Sequence, residues 1–199
     1  MDAGGPTVNA QPIPLFLDID GVLVVYRHEE SEQARLTKVP VNRQGPADHI
    51  YPSAVNIDPM VIADLNAMVG EGIVELVWLS SWDHGANRVL APAVGLTGAP
   101  YAVAEIGSRY GDRIRAGIWI KTLAVGRWMK ANRPDGSPMI LVDDLLTNLP
   151  RGQMSPQRRS LSDVVEPGSL LVATDASRGM LMSQLTEIRR HASKFLTAQ

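Results

Sequence analysis

Polar residues that could do chemistry stand at the ends of the apolar runs in this chain. The first group reads Leu-Phe-Leu-Asp-Ile-Asp-Gly-Val-Leu over residues 15–23, with Asp18 and Asp20 two apart and Gly21 able to turn the chain sharply. Residues two apart on a strand face one side, so ideal geometry points both carboxylates the same way. Ser80 and Ser81 form a second group, the adjacent Asp143 and Asp144 in Ile-Leu-Val-Asp-Asp-Leu a third, and Thr174 with Asp175 a fourth. Each group has a plainer reading alone: solvated turn aspartates for the first, a helix N-cap pair for the third. Convergence changes the balance. Two unit charges about 4 Å apart repel by about 4 kcal/mol at an effective dielectric of roughly 20. A hard divalent cation relieves that repulsion, and an all-oxygen site with few protein ligands suits Mg²⁺.

The elements that must hold these groups are short apolar runs: Ile13–Ile19, Ile73–Leu79, Met139–Val142 and Leu170–Ala173. Continuous rather than alternating hydrophobicity marks strands buried on both faces, as in a parallel sheet covered by helices. Helical patterns lie between and after them. Asp58-Pro59 supplies an N-cap carboxylate and a first-turn proline, Val61, Ile62, Leu65, Met68 and Val69 form one stripe, and Gly70 and Gly72 stop it. Ile120, Leu123, Ala124 and Trp128 mark a second helix, and Leu181, Leu185, Ile188, Ala192 and Phe195 a third. Strands alternating with such helices predict a three-layer, Rossmann-like α/β domain with a central parallel sheet. In such a sheet, ligands bind beyond the carboxyl ends of the strands, where the polar groups sit. Residues 24–57 fit no βα unit and read as a flap or small cap; residues 147–168 read as an irregular loop. The expected organisation is a loose tail over residues 1–12 and a single domain over 13–199.

Residues 15–23 resemble the first motif of the haloacid dehalogenase-like (HAD) superfamily, an apolar strand followed by Asp-x-Asp-Gly. The Ser80 exit is similar to the second motif, a Ser or Thr ending the next strand, and Asp143-Asp144 to the fourth, an acidic pair after an apolar strand. Lys121, opening the helix before that strand, is the candidate for the basic residue of the third. The resemblance spans roughly residues 13–175. It implies that Asp18 attacks phosphorus, and that Asp20 protonates the leaving oxygen and then activates water. It implies Mg²⁺ held by the Asp18 carboxylate, the Asp20 backbone carbonyl and the pair Asp143 and Asp144, mainly Asp144. Ser80 would hydrogen-bond the phosphoryl group, alongside the Gly21 turn, and Lys121 would offset its charge. Ser81, one residue along, is an alternative to Ser80, since a one-residue slip exchanges their faces. Arg109, Arg113 and Arg115 rival Lys121 for the phosphate. Dehalogenases of the superfamily lack the second aspartate, because a departing halide needs no proton, and its ion pumps carry Lys-Thr there instead. Ile19-Asp20 therefore favours a phosphatase.

The physical case agrees: phosphoryl transfer asks mostly for positioning and neutralisation of three equatorial oxygens. The expected activity is hydrolysis of a phosphomonoester, with a small cap leaving room for a nucleotide, a nucleic-acid end or a phosphoprotein. A binding module with a structural cation and a phosphotransferase to an acceptor other than water are the alternatives. Trp82 is placed to stack on a substrate base, with Asp83 capping a following helix, while Trp119 and Trp128 read as core. His28, His49, His84 and His191 show no metal-ligand spacing. The 199 residues are 45% hydrophobic with a net charge of −2, which suits one soluble domain and gives no global field for nucleic acid or membrane. No apolar run reaches the roughly 18 residues that span a bilayer. The absence of cysteine rules out a disulfide framework or cysteine–zinc site and fits a reducing cytoplasm.

Overall fold

The computed structural model describes residues 11–26, 30–41, 52–106, 119–146, 156–162 and 164–196. Among them, β1 (Ile13–Leu17), β4 (Val74–Trp78), β5 (Ala102–Val103), β6 (Ile140–Asp143) and β7 (Leu170–Ala173) form a parallel sheet in the order β5-β4-β1-β6-β7. The chain moves outward from β1 through β4 to β5, then returns to the other side of β1 for β6 and β7. Strand order therefore reverses between β1 and β6, which opens a crevice at their carboxyl ends. A separate antiparallel pair joins β2 (Thr37–Pro40) to β3 (Ala54–Ile57), both within the stretch that fits no βα unit.

β1 is buried along its whole length, and its alternating side chains feed two cores. Ile13, Leu15 and Leu17 pack with Leu65 and Met68 of α1 (Pro59–Gly70) and Leu185 and Ile188 of α5 (Met182–Leu196). Phe16 faces the other way, with Val77 and Leu141, onto Ala124, Val125 and Met129 of α3 (Ile120–Asn132). There the Trp128 ring meets Phe16 edge to face at 5.2 Å. These two faces make the three layers. β7 closes one edge of the sheet, and only Val172 within it is buried. That departs from the expectation of a strand covered on both faces: an edge strand has a neighbour on one side only.

Local signals explain the helix ends. Asp58 has extended backbone, and its Oδ1 accepts from the Met60 amide at 2.9 Å while Pro59 opens α1. At the start of α5, Gln184 Oε1 accepts from the Leu181 amide at 2.9 Å, a back-reaching cap.

Two expectations need correction. Residues 147–168 are not loop throughout, since α4 (Pro156–Leu161) lies within them; Leu161 is fully buried in the α3-side core, which gives a short turn something to anchor. Asp83 does not cap a helix. Its φ is +40°, its carboxylate accepts from the Ile106 amide at 3.1 Å, and the helical turn Ala86–Leu90, which runs into α2 (Ala91–Val94), starts without a side-chain cap. The long-range bond to Ile106 takes the side chain that a cap would need. The expected tail over residues 1–12 falls largely on residues 1–10, outside the described residues.

Asp58 also takes Arg35 at 3.0 Å, so it caps α1 and tethers the segment before β2. Asp58→Ala should lower unfolding stability by about 1–2 kcal/mol. Urea titration of both proteins checks this, and an unchanged midpoint contradicts it.

Candidate active site

The alternation that builds the cores also aims the site. Asp18 follows Leu17 and shares the parity of Phe16, while Asp143 shares that of Leu141, so both carboxylates fall on the α3 side of the sheet. Lys121, in the first turn of α3, meets them there. Its Nζ lies 2.5 Å from Asp18 Oδ2 and 2.6 Å from Asp143 Oδ2, with all three side chains buried. Burial works to lower the Lys121 pKa, but the two carboxylates outweigh it and hold the ammonium above its ordinary value. Asp18 Oδ1 accepts from the Ile19 amide at 2.8 Å, and Asp143 Oδ1 from the Leu145 amide at 2.9 Å.

Asp144 follows on the short 3₁₀ turn Asp144–Leu146 and lines the pocket with Asp18. Oxygens of Asp18, Asp143 and Asp144 all lie within 4.8 Å of one another. One ammonium cannot balance these three carboxylates. Accordingly, burial and then the Asp18 charge push the Asp144 carboxyl above its usual range; burial first, with Asp18 adding to it, does the same to Asp143 against the pull of Lys121. A compact, oxygen-only donor set with excess negative charge is one that a hard divalent cation fits.

Gly21 leaves that space open. Its φ is +73°, and a Cβ there would lie 2.8 Å from Asp144 Oδ2. The loop that carries it is clamped by distant chain: Thr174 donates its hydroxyl to the Gly21 carbonyl at 2.9 Å, and the Met180 amide bonds the Val22 carbonyl at 2.8 Å. Asp175, the other polar residue of that strand exit, is exposed and accepts from Ser177 instead.

Asp20 behaves differently from Asp18. Its carboxylate accepts from the Tyr26 hydroxyl at 2.7 Å and from the Trp82 indole N–H at 3.3 and 3.2 Å. Burial raises its pKa above the usual range, Tyr26 opposes this, and the Asp18 charge adds to it. Trp82 is buried, so it is spent on Asp20 rather than offered to a substrate base. Trp119 corrects the reading in the other direction: it is partly exposed and lines the pocket, whereas Trp128 is core.

The pocket holds about 510 Å³ and is lined by Asp18, Asp20, Gly21, Ser81, Lys121 and Asp144, with Tyr26, Trp119, Ile106 and Leu145 as its apolar wall. Ser81 reaches it. Ser80 does not: it is 1% exposed, and its Oγ is buried without a hydrogen-bond partner among the described residues. Arg109, Arg113 and Arg115 fall outside the described residues, as do His28 and His49. His84 pairs with Glu105 at 2.8 Å, and His191 contacts the Gly168 carbonyl at 2.8 Å. Sequence reasoning missed Tyr26 as a partner of Asp20, and no local pattern marks it. The Trp82 indole and Asp20 are 62 residues apart, a contact that only the fold creates.

A divalent cation at 100 times its dissociation constant should raise the thermal midpoint by roughly 5–10 °C. Asp144→Asn should remove most of that gain, and calorimetry with and without Mn²⁺ or Mg²⁺ reads it. No cation-dependent shift in the unaltered chain would contradict the donor set. Gly21→Ala should lower stability by about 1–2 kcal/mol and weaken the same cation response, because its Cβ needs the place of the Asp144 carboxylate.

No curated protein and no solved structure matches the chain. A family described as the HAD domain in Swiss Army Knife RNA repair proteins matches residues 14–185, a range that takes in all but the first residue of the sheet and every acidic residue of the site. With Asp18 just past β1, Lys121 on α3 and the acidic pair at the end of β6 gathered at one edge of the sheet, the chain belongs to this HAD family.

Proposed function

We propose that this chain is a Mg²⁺-dependent phosphatase that removes a terminal phosphate from a nucleic-acid end, through an aspartyl-phosphate on Asp18. The observation that carries this reading is the buried Asp18 carboxylate held 2.5 Å from the Lys121 ammonium, with Asp20 two residues further on in the same pocket. A structural cation site has no use for that second carboxylate or for the lysine.

In this mechanism an Asp18 oxygen attacks phosphorus as the bond to the leaving oxygen breaks, and the Asp20 carboxyl gives that oxygen its proton. Asp20, now ionised, takes a proton from water as the water attacks the acyl-phosphate; inorganic phosphate leaves and Asp18 is restored. Lys121 offsets charge on Asp18 and on the phosphoryl oxygens, and Ser81 supplies a hydroxyl on the pocket wall. Magnesium, held by Asp18, Asp143 and Asp144, would add neutralisation of the phosphoryl charge.

Two observations support a nucleic-acid end over a small metabolite. The family's description concerns RNA repair proteins. The aromatic wall of Tyr26 and Trp119 offers faces on which a terminal base can lie, next to the phosphate-binding groups. Among the described residues of the 24–57 stretch, Tyr26 is the one that lines the pocket.

Oligonucleotides bearing a 3′- or a 5′-phosphate, incubated with the protein and Mg²⁺, should release inorganic phosphate in amounts equal to the ends consumed. Asp18→Asn should reduce the rate by about a thousandfold or more. An Asp18→Asn protein as fast as the unaltered one sinks the mechanism. Turnover confined to phosphorylated metabolites or phosphopeptides sinks the nucleic-acid assignment, and ends consumed without free phosphate point to transfer instead.

A further inference from the structure

The surroundings of Asp20 are built more tightly than a solvent-facing carboxylate needs. The Trp82 indole N–H spans both Asp20 oxygens, at 3.3 and 3.2 Å, from a ring that is 5% exposed. The turn that presents this ring is held from several sides. Asp83 donates its amide to the Ser80 carbonyl at 3.0 Å, and the Gly85 amide bonds the Trp82 carbonyl at 2.7 Å. Asp83 itself sits at φ +40°, which is uncommon for a residue with a side chain. Its carboxylate fixes that conformation by accepting from the Ile106 amide at 3.1 Å. Backbone in such regions persists where the surroundings over-determine it, and it clusters at functional sites. From the other side, Tyr26 donates to Asp20 Oδ1 at 2.7 Å while half of its ring stays exposed on the pocket wall.

The two donors differ in what they can do. An indole N–H only donates, whereas a phenol hydroxyl donates or accepts. While Asp20 is ionised, both can donate to it, as observed. When Asp20 carries a proton, the indole still has an acceptor oxygen to hold, and the Tyr26 hydroxyl can rotate to accept. The carboxyl group therefore keeps its aim through both halves of a cycle in which it gives up and regains a proton. A single rigid donor on each side would oppose one of the two states.

We infer that Trp82 and Tyr26 are positioning residues that fix the Asp20 carboxyl toward the leaving oxygen, Trp82 as the rigid anchor and Tyr26 as the partner that follows the proton. This rests on the phosphatase reading above and assigns each residue a part in it. Its consequence is selective. An ester whose leaving group departs readily as an anion, such as p-nitrophenyl phosphate, has little need of the aimed proton. A nucleoside or simple alkyl phosphate, whose leaving alkoxide is strongly basic, needs it.

The test compares kcat/KM, which reports the step that expels the leaving group, for these two ester types in Tyr26→Phe and Trp82→Phe proteins with Mg²⁺ present. Each substitution should lower kcat/KM on the alkyl ester by about tenfold or more, up to the roughly 10²–10⁴-fold that positioned acid–base catalysis supplies, and leave the nitrophenyl ester within about threefold. Asp20→Asn should show the same bias with a larger loss. Tyr26→Phe removes one hydroxyl from a half-exposed ring, so it keeps the question answerable if Trp82→Phe unfolds the chain. Equal losses on both esters, or no loss on either, overturn the inference while the phosphatase reading stands. An unaltered protein inert toward both esters and toward phosphorylated oligonucleotide ends, themselves alkyl esters, overturns that reading and this inference together.

Discussion

A single ammonium shared between two buried carboxylates organises this molecule. Lys121 is 7% exposed, and it sits where a helix is least hospitable to a cation: in the first turn of α3, at the positive end of the helix dipole. No acidic residue in that turn offsets the dipole, and Trp119, at the cap position, contributes no side-chain bond. Asp18 and Asp143 are what keep the charge there, and they come from the ends of the two strands between which the sheet reverses its order. Removing one partner from such a buried cluster strands the rest, at a typical cost of about 3–5 kcal/mol. The arrangement is thus a poor device for stability and a good one for holding a carboxylate beside a positive charge.

The way β1 divides its side chains makes this arrangement follow from the sequence. One parity of the strand builds the core under α1 and α5 and the other builds the core under α3. Extending the second parity by one step beyond Phe16 reaches Asp18, and beyond Leu141 it reaches Asp143. The hydrophobic pattern that secures the layers therefore also selects which face receives the charges. The same alternation bears on Ser80 and Ser81: Trp78 belongs to the α1-side core and Leu79 to the α3-side core, and of the two serines it is Ser81 that reaches the pocket.

Much of this is legible in the sequence. Continuous apolar runs marked β1, β4 and β6 because strands covered on both faces have no polar side to show. Asp58-Pro59 marked α1 because capping is local chemistry. β5 was not legible: at two residues it has no pattern of its own and exists by pairing with Val77 and Trp78. Helix α4 is six residues long, and its apolar anchor Leu161 stands among polar neighbours. In the site, adjacency in sequence gave Asp18 with Asp20 and Asp143 with Asp144, but not how each carboxylate is engaged. Trp82 reads in the sequence as a ring for stacking on a substrate base, because nothing nearby tells that its N–H will meet a carboxylate from another strand exit. The clamp of Thr174 on Gly21 is of the same kind, a contact across 153 residues, whereas Tyr26 lies only six residues from Asp20 but in no pattern that marks the pairing.

That clamp has a bearing on how the molecule comes together. The turn of the aspartate loop is fastened by a hydroxyl 153 residues later and by the Met180 amide, just past the Asp175–Gly179 corner. During synthesis the loop emerges before its fastener, which follows only after most of the sheet has left the ribosome. Until then the Gly21 carbonyl has water for a partner, and the loop has no fixed shape imposed on it from that side. A chain that has not yet reached Thr174 therefore carries Asp18 and Asp20 on a loop without this fastener.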